Sequence, residues 1–320
     1  CNSRCVYCHS DSPYKKNINL KKENAIKILN HVFSSNAPSY TIEFQGGEAL
    51  LNWENVKYVV QEAETINKIE KKGLRFILCT NLTMMTDKHM EFIKEHNIVV
   101  STSLDGPENV HNANRQLLSG SGTYDKVVSW IKKLKNENVP VGALPTITKN
   151  TLNHGKELVD LYVSLGLDEI YLRFLNYLGY AKDNWDNIGY TAEEFLEFWK
   201  ESVDYIIELN KKGSNVMERT AQSLLKKIVS RKDTWNTEMM SPCGAGRCQI
   251  VYDFDGGVYT CDEGRMVGDD TFKLGNVKDN NFSEIMGNEK LMHIANASII
   301  YNYCQTCAFN TWCSTCPVNN

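Results

Sequence analysis

CNSRCVYCHS occupies residues 1–10, and three of its first eight positions are cysteine: Cys1, Cys5 and Cys8. The spacing is C-x3-C-x2-C. A structural zinc site takes four protein ligands, and a cubane iron–sulfur cluster that only carries electrons is also held by four cysteines. Three thiolates leave one position open, and an open coordination position is what catalysis at a metal needs. His9 follows Cys8 directly, and adjacent residues seldom ligate one metal, so it reads as a loop residue.

The remaining cysteines sharpen this reading. The chain has 320 residues and 11 cysteines. Between Cys8 and Cys243 there is only Cys79; the other seven lie from Cys243 to Cys316. A disulfide scaffold is short and spreads its cysteines through the fold, whereas tight C-x2-C pairs and an odd count point to metal or iron–sulfur ligation in a reducing compartment. A 42% hydrophobic and 23% charged composition is that of a globular protein. The net charge of −4 gives no electrostatic footprint for nucleic acid. There is no membrane-length apolar run and no signal-peptide pattern. A soluble, cytoplasmic protein with no nucleic-acid or membrane partner is expected.

From about 41 to 180, β-rich runs alternate with amphipathic helices. TIEF (41–44), LRFILCTN (74–81), NIVVSTSLD (97–105), VPVGALPTIT (139–148) and EIYLRFLN (169–176) read as strands. A helix is expected from about Trp53 to Lys72, with Val56, Val59, Val60, Ala63 and Ile66 on one face. A short helix ends near Phe92, another buries Val127, Val128, Ile131 and Leu134, and a further one lies around 155–165. Near-continuous apolar strands alternating with helices mean a parallel sheet covered by helices, and an open or closed βα barrel fits best. The chemistry of such folds sits at the carboxyl ends of the strands. Helices are expected at 191–211, 216–231 and 282–296, and a hairpin at QIVYDF–Asp255-Gly256-Gly257–VYTC.

The C-x3-C-x2-C run, with Tyr7 before the last cysteine, resembles the signature of the radical S-adenosylmethionine (radical SAM) enzymes. The resemblance implies an α/β fold, a partial (βα)6 TIM-type barrel, with a first strand expected upstream of Cys1. It implies that Cys1, Cys5 and Cys8 hold a [4Fe–4S] cluster whose open iron chelates S-adenosylmethionine. Reductive cleavage of that cofactor supplies a 5′-deoxyadenosyl radical, with a reductase or a flavodoxin or ferredoxin as electron donor. Gln45-Gly46-Gly47-Glu48 resembles the family's GGE(P) element, with Ala49 where proline is usual. On that likeness the glycines let the backbone approach the methionine end, and Glu48 accepts from its ammonium. Ser103-Leu104-Asp105-Gly106-Pro107, followed by His111 and Arg115, resembles the SLDGP…R stretch. Carried over, Ser103 and Arg115 contact the methionine carboxylate or neighbouring polar atoms, and Asn81 is a candidate for the ribose or adenine. Cys79, inside an apolar strand, reads as a buried thiol.

At the other end, the spacing of Cys243, Cys248 and Cys261, and of Cys304, Cys307, Cys313 and Cys316, suits structural zinc and iron–sulfur clusters about equally. The whole stretch resembles the SPASM domain, which binds auxiliary [4Fe–4S] clusters. That likeness implies one cluster on Cys243, Cys248, Cys261 and Cys316, and a second on Cys304, Cys307 and Cys313. The last pair has two residues between its cysteines where the family usually has three. The eighth ligand is expected beyond Asn320, in a domain clipped at its C-terminus. The expected domains are a barrel at 1–180, a helical connector at 181–240 and a SPASM domain at 241–320.

A SPASM domain implies a peptide or protein substrate. IEFQGGEALLN, TSLDGPENVHNANR and IYLRFLNYLGYA resemble maturases of ribosomally made peptides of the His-Xaa-Ser system type. The expected activity is therefore hydrogen abstraction from a precursor peptide to give a cross-link or related modification. The alternative is an anaerobic sulfatase-maturing enzyme, in which an aspartate after the cysteine, here Asp262, is the base in oxidising cysteine or serine to formylglycine. A non-catalytic zinc protein or an iron–sulfur electron carrier is the rival from another class, but neither needs the GGE and SLDG…R elements at strand ends.

Overall fold

Apolar runs at regular intervals, each followed by a helix with one apolar stripe, assemble into a parallel sheet. The computed structural model describes residues 1–10, 18–232, 240, 242–297, 302–310, 313 and 316–318. The end of the expected helical connector, 233–239, lies outside them.

The elements run β1 (Ser3–Cys5), α1 (Lys22–Phe33), β2 (Ser39–Phe44), α2 (Trp53–Glu70), β3 (Gly73–Cys79), α3 (Asp87–Glu95), β4 (Val99–Ser103), α4 (Glu108–Asn114), β5 (Arg115–Leu117) and α5 (Tyr124–Asn136). There follow β6 (Val141–Leu144), α6 (Gly155–Ser164), β7 (Glu169–Ile170), α7 (Tyr180–Asp183), α8 (Trp185–Ile188), α9 (Ala192–Lys211), β8 (Met217–Glu218) and α10 (Arg219–Ser230). The cysteine-rich end carries β9 (Val251–Tyr252), β10 (Gly257–Tyr259), α11 (Asp262–Met266), β11 (Lys273–Asn276), α12 (Phe282–Met286), α13 (Glu289–Ala295) and α14 (Asn302–Gln305). They fall into two compact units. The first comprises Cys1–Lys16, Pro38–Val60 and Lys71–Thr220; the second comprises Asn17–Ala37, Gln61–Glu70 and Ala221–Asn320.

In the first unit β2, β3, β4 and β6 form a parallel sheet in that order. Its register sets Glu43 beside Ile77, Ile77 beside Val99, and Ser101 beside Gly142. Side chains alternate across the sheet. Phe76, Leu78, Val100 and Ala143 are buried on one face, and the helices contribute Val56, Val59, Val60, Ile131, Leu134, Leu158 and Tyr162 to the buried core. Ser39, Thr41, Glu43, Arg75 and Gly142 on the opposite face are exposed. Parallel sheets are normally covered on both faces, so this one has an open face. α9 starts where expected, because Thr191 and Glu194 close a capping box.

Two expected elements differ. EIYLRFLN forms only the two-residue β7, paired with β8, plus a bridge between Thr146 and Arg173. Tyr171, Leu172 and Leu175 are buried, so the run is apolar because it packs as core, not because it extends the ladder. The helix expected at 282–296 is two helices. Gly287 ends α12, and Asn288 caps α13 by accepting from the Lys290 amide.

The second unit is built on the antiparallel sheet β11-β10-β9, whose first two strands in sequence are the expected hairpin. Val258, Leu274, Ile285 and Leu291 make one core, and Cys243, Ala245, Cys261, Phe272 and Ile294 make another. α1 belongs here despite its distance in sequence. Asn24 donates to the Phe254 carbonyl at 2.8 Å, and His31 bonds the Tyr252 hydroxyl at 2.8 Å while packing edge-on against Phe282.

Candidate active site

The first eight residues lie over the carboxyl ends of the sheet strands. β1 pairs antiparallel with β5, setting Cys5 opposite Arg115. The Val6 amide donates to the Asn114 carbonyl at 3.0 Å, and Asn184 Nδ2 donates to the Val6 carbonyl at 3.1 Å. Tyr180 donates its amide to the Cys8 carbonyl at 2.9 Å, and Cys8 closes a turn onto Cys5. Each cysteine meets a different strand end or loop. Cys1 Sγ donates to the Gly47 carbonyl at 3.2 Å after β2, Cys8 Sγ lies 3.4 Å from Ser10 Oγ, and Arg115 Nη1 lies 4.0 Å from Cys5 Sγ.

Asp105, two residues beyond β4 and fully buried, ties this loop down. Its Oδ2 accepts from the Tyr7 hydroxyl at 2.5 Å, Arg115 Nε at 3.1 Å and Asn114 Nδ2 at 3.3 Å, and its Oδ1 accepts from the Thr146 amide at 3.1 Å. The guanidinium lies 5.1 Å from the Tyr7 ring centroid. Burial works against the Arg115 charge, but Asp105, Tyr7 and Cys5 beside it more than reverse this and hold its pKa above the ordinary value. Burial likewise pushes the Tyr7 phenol well up, so it stays a donor. His111, behind Asp105, has a defined tautomer. Thr123 Oγ1 donates to the Arg115 carbonyl and so accepts from His111 Nε2 at 2.9 Å, leaving Nδ1 bare to accept the Asp105 amide at 3.3 Å.

The GGE turn follows β2 directly. Gly46 has φ +138°, a backbone conformation that favours glycine. Glu48 points inward: its Oε1 accepts from Thr80 Oγ1 at 2.6 Å and the Leu50 amide at 3.0 Å, and its Oε2 accepts from the Asn81 amide at 2.8 Å. Burial raises its carboxyl above the usual range, and these bonds act the other way. Glu48 thus braces the ends of β2 and β3. Asn81 braces too, donating to Asn2 Oδ1 and Ser3 Oγ. Gln45 Nε2 and Cys79 Sγ both donate to Glu43 Oε1 on the open face of the sheet. Cys79 is therefore half-buried and hydrogen-bonded rather than a core thiol. Ser103 closes β4 opposite Leu144.

In the second unit, Cys243 and Cys261 are buried within one core. Cys261 caps α11, its Sγ accepting the Gly264 amide at 3.2 Å. Burial pushes its thiol up to about 12, with Glu263 and Cys316 adding to the rise; burial also raises Cys243, with Cys248 among its neighbours. Cys304 is buried, and Cys307 and Cys313 are exposed. Asp262 opens α11, its Oδ1 accepting from Arg265 Nη2 at 2.9 Å, and Arg265 also reaches Asp253 at 3.5 Å.

The donor set suits iron–sulfur chemistry. Burial pushes the Cys5 thiol to about 11, so a thiolate there needs a cationic partner, which iron supplies. No three His, Cys, Asp or Glu side chains among the described residues surround a single ion. A cubane asks for less convergence, since each thiolate binds its own iron.

An open-faced parallel sheet with a three-cysteine loop over its strand ends defines a class, and residues 1–162 match the Radical SAM superfamily. The chain belongs to that superfamily and is an oxidoreductase-type enzyme using [4Fe–4S] clusters and S-adenosylmethionine. Residues 243–317 match SPASM, the iron–sulfur cluster-binding domain. The chain is 26% identical to a cysteine-type anaerobic sulfatase-maturating enzyme of Clostridium perfringens, over 98% of this chain and 84% of the relative. It is 24% identical to a serine-type enzyme of Bacteroides thetaiotaomicron, over 100% of this chain and 80% of the relative. The solved structure of native anSMEcpe with bound AdoMet and Kp18Cys peptide superposes with a TM-score of 0.86 at 25% identity, covering 98% of this chain and 84% of that one. Streptococcus suis SuiB bound to precursor peptide SuiA shares the fold, with a TM-score of 0.73 at 15% identity, covering 100% of this chain and 70% of that one. These findings favour the sulfatase-maturing alternative over the peptide cross-linking reading. Among the described residues no helix is long and apolar enough to cross a membrane.

Proposed function

We propose that the chain is an anaerobic sulfatase-maturing enzyme, oxidising a cysteine or serine of a protein substrate to formylglycine. The supporting observation is that the likeness to this branch runs through both domains, 26% over 98% of the chain. By contrast, the likeness to a radical SAM cyclopropyl synthase of Paramaledivibacter caminithermalis, also 26%, covers 62% of the chain. When bound, S-adenosylmethionine and the cluster on Cys1, Cys5 and Cys8 supply the 5′-deoxyadenosyl radical for hydrogen abstraction. The protein's task is to fix the cysteine loop, expose the open sheet face to the substrate, and receive a proton. Asp262 is the base in this reading. Arg265, 2.9 Å from one carboxylate oxygen, fixes its orientation at the start of α11. The cysteines of the second unit are the auxiliary ligands, with Cys243, Cys248, Cys261 and Cys316 as one set and Cys304, Cys307 and Cys313 as the other.

The test is anaerobic incubation of reconstituted enzyme with S-adenosylmethionine, reductant and paired peptides carrying cysteine or serine at the target position. Aldehyde formation with stoichiometric 5′-deoxyadenosine is the expected result. 5′-Deoxyadenosine formed with a precursor peptide that becomes cross-linked, and no aldehyde from either paired peptide, refutes the assignment and restores the peptide-maturase reading.

A further inference from the structure

The strongest unclaimed feature of the molecule is a charge pair beside one cysteine of the N-terminal loop. Cys5 and Arg115 are directly opposite on the antiparallel ribbon of β1 and β5, so their side chains project from one face as cross-strand neighbours. The guanidinium uses Nε for Asp105 and presents Nη1 to Cys5 Sγ at 4.0 Å. Its side chain is 14% exposed and that of Asp105 is 0% exposed. Asp105 also holds Tyr7, which stands between Cys5 and Cys8, so one carboxylate anchors the loop and aims the cation. Asp105 has no bulk water beside it and Arg115 has little, so solvent screens their effect only weakly.

We infer that Arg115 is a positioning residue which donates an N–H···S hydrogen bond to the Cys5 thiolate and raises the reduction potential of the cluster held there, with Asp105 setting how much of the cation's charge the sulfur feels. The inference rests on the assignment of Cys1, Cys5 and Cys8 as cluster ligands. Its physical basis is general. Adding an electron to a thiolate-ligated cluster makes it more negative, so a buried cation or donor at a ligating sulfur favours the reduced form. An N–H···S bond on Cys5 is also a different task from binding the methionine carboxylate, because it acts before S-adenosylmethionine arrives.

Two substitutions predict opposite signs. Arg115→Met removes donor and cation and leaves the Asp105 carboxylate, so the cluster becomes harder to reduce. Asp105→Asn keeps the shape and a hydrogen-bonding oxygen but frees the Arg115 charge, so the cluster becomes easier to reduce. Each is expected to move the oxidised-to-reduced ratio about tenfold, which is ~59 mV for a one-electron couple. Arg115→Lys places a point charge that cannot serve Asp105 and Cys5 together, so its midpoint falls below that of the native enzyme but less than with Met.

The measurement is an anaerobic potentiometric titration followed by electron paramagnetic resonance, on the full chain without S-adenosylmethionine. The N-terminal cluster is identified as the signal that changes when S-adenosylmethionine is then added. Opposite shifts for Arg115→Met and Asp105→Asn support the inference. Equal midpoints, or shifts of the same sign, overturn it, as does weakened S-adenosylmethionine binding with no change of potential. If Arg115→Met does not retain iron, the Lys and Asn variants decide by the same signs. Failure of the native chain to load an S-adenosylmethionine-responsive cluster is a separate outcome, which refutes the ligand assignment itself.

Discussion

Gly179→Ala tests how the cysteine loop is held. Gly179 has φ 55° and ψ −138°, a region essentially closed to other residues, and forcing one into it costs about 1–3 kcal/mol. A Cβ there would overlap the His9 carbonyl oxygen and lie 2.5 Å from its carbonyl carbon and 2.7 Å from its Cα. These are backbone atoms, so the clash cannot be relieved by turning a side chain, and overpacking of this kind adds about 1–3 kcal/mol. Moving His9 away breaks the 2.9 Å bond from the Tyr180 amide to the Cys8 carbonyl, worth roughly 1 kcal/mol. The sum is large beside a domain stability of about 5–15 kcal/mol. Local opening relieves it more cheaply than global unfolding, so Cys8 is expected to leave its position while the rest of the fold persists. The assay is iron and sulfide per chain after anaerobic reconstitution, with far-UV circular dichroism as the fold control. Loss of about four of roughly twelve irons with an unchanged spectrum is expected. Gly142→Ala is the comparison, since nothing lies within 4 Å of its added Cβ and a change within about 0.5 kcal/mol is expected. Full iron content and native stability in Gly179→Ala would refute the reasoning.

Other expectations follow from the same geometry. Burial holds His111 down to about 4 from an ordinary 6.5. A depressed histidine contributes stability that is present above pH 6.5 and is lost as the pH falls towards 4, by up to roughly 3 kcal/mol. Urea unfolding at pH 7 and pH 5 should show this loss in the native chain and less of it in His111→Gln. Glu48→Gln keeps the shape but turns an N–H towards the Thr80, Leu50 or Asn81 donors, at a cost of about 1–3 kcal/mol, readable as a fall in Tm. Because burial raises the Glu48 carboxyl, its contribution favours the fold at acid pH and is lost as the pH rises through its folded value. The deficit of the Gln variant should therefore narrow towards neutrality. Asp262→Asn should lower aldehyde formation by about 10²-fold or more while iron content stays native; unchanged turnover removes Asp262 as the base.

What could be read along the chain was whatever is local. C-x3-C-x2-C carries its meaning in eight residues, and the apolar runs that became β2, β3, β4 and β6 announce a parallel sheet because each must bury a face. The capping pair Thr191–Glu194 and the Asp255-Gly256-Gly257 turn are likewise complete within a few positions. The failures were equally physical. EIYLRFLN is apolar because Tyr171, Leu172 and Leu175 are buried, and composition does not distinguish that from a ladder strand. The partners Glu48 has in the fold were not legible locally either, because Thr80 and Asn81 are brought against it across 32 and 33 residues.

Composition and spacing by themselves determined a metal- or iron–sulfur-ligating protein with one open coordination position and a strand–helix alternation; the chemical class followed from the resemblance carried by the C-x3-C-x2-C, GGE and SLDG motifs. Only the tertiary structure decided which carboxylate holds the loop and which cation faces a sulfur. Tyr7 meets Asp105 from 98 residues away, and Arg115 meets Cys5 from 110. A buried charge is tolerable only when an opposite charge and donors converge on it. That convergence is made by parallel strand ends and an antiparallel ribbon coming together in space.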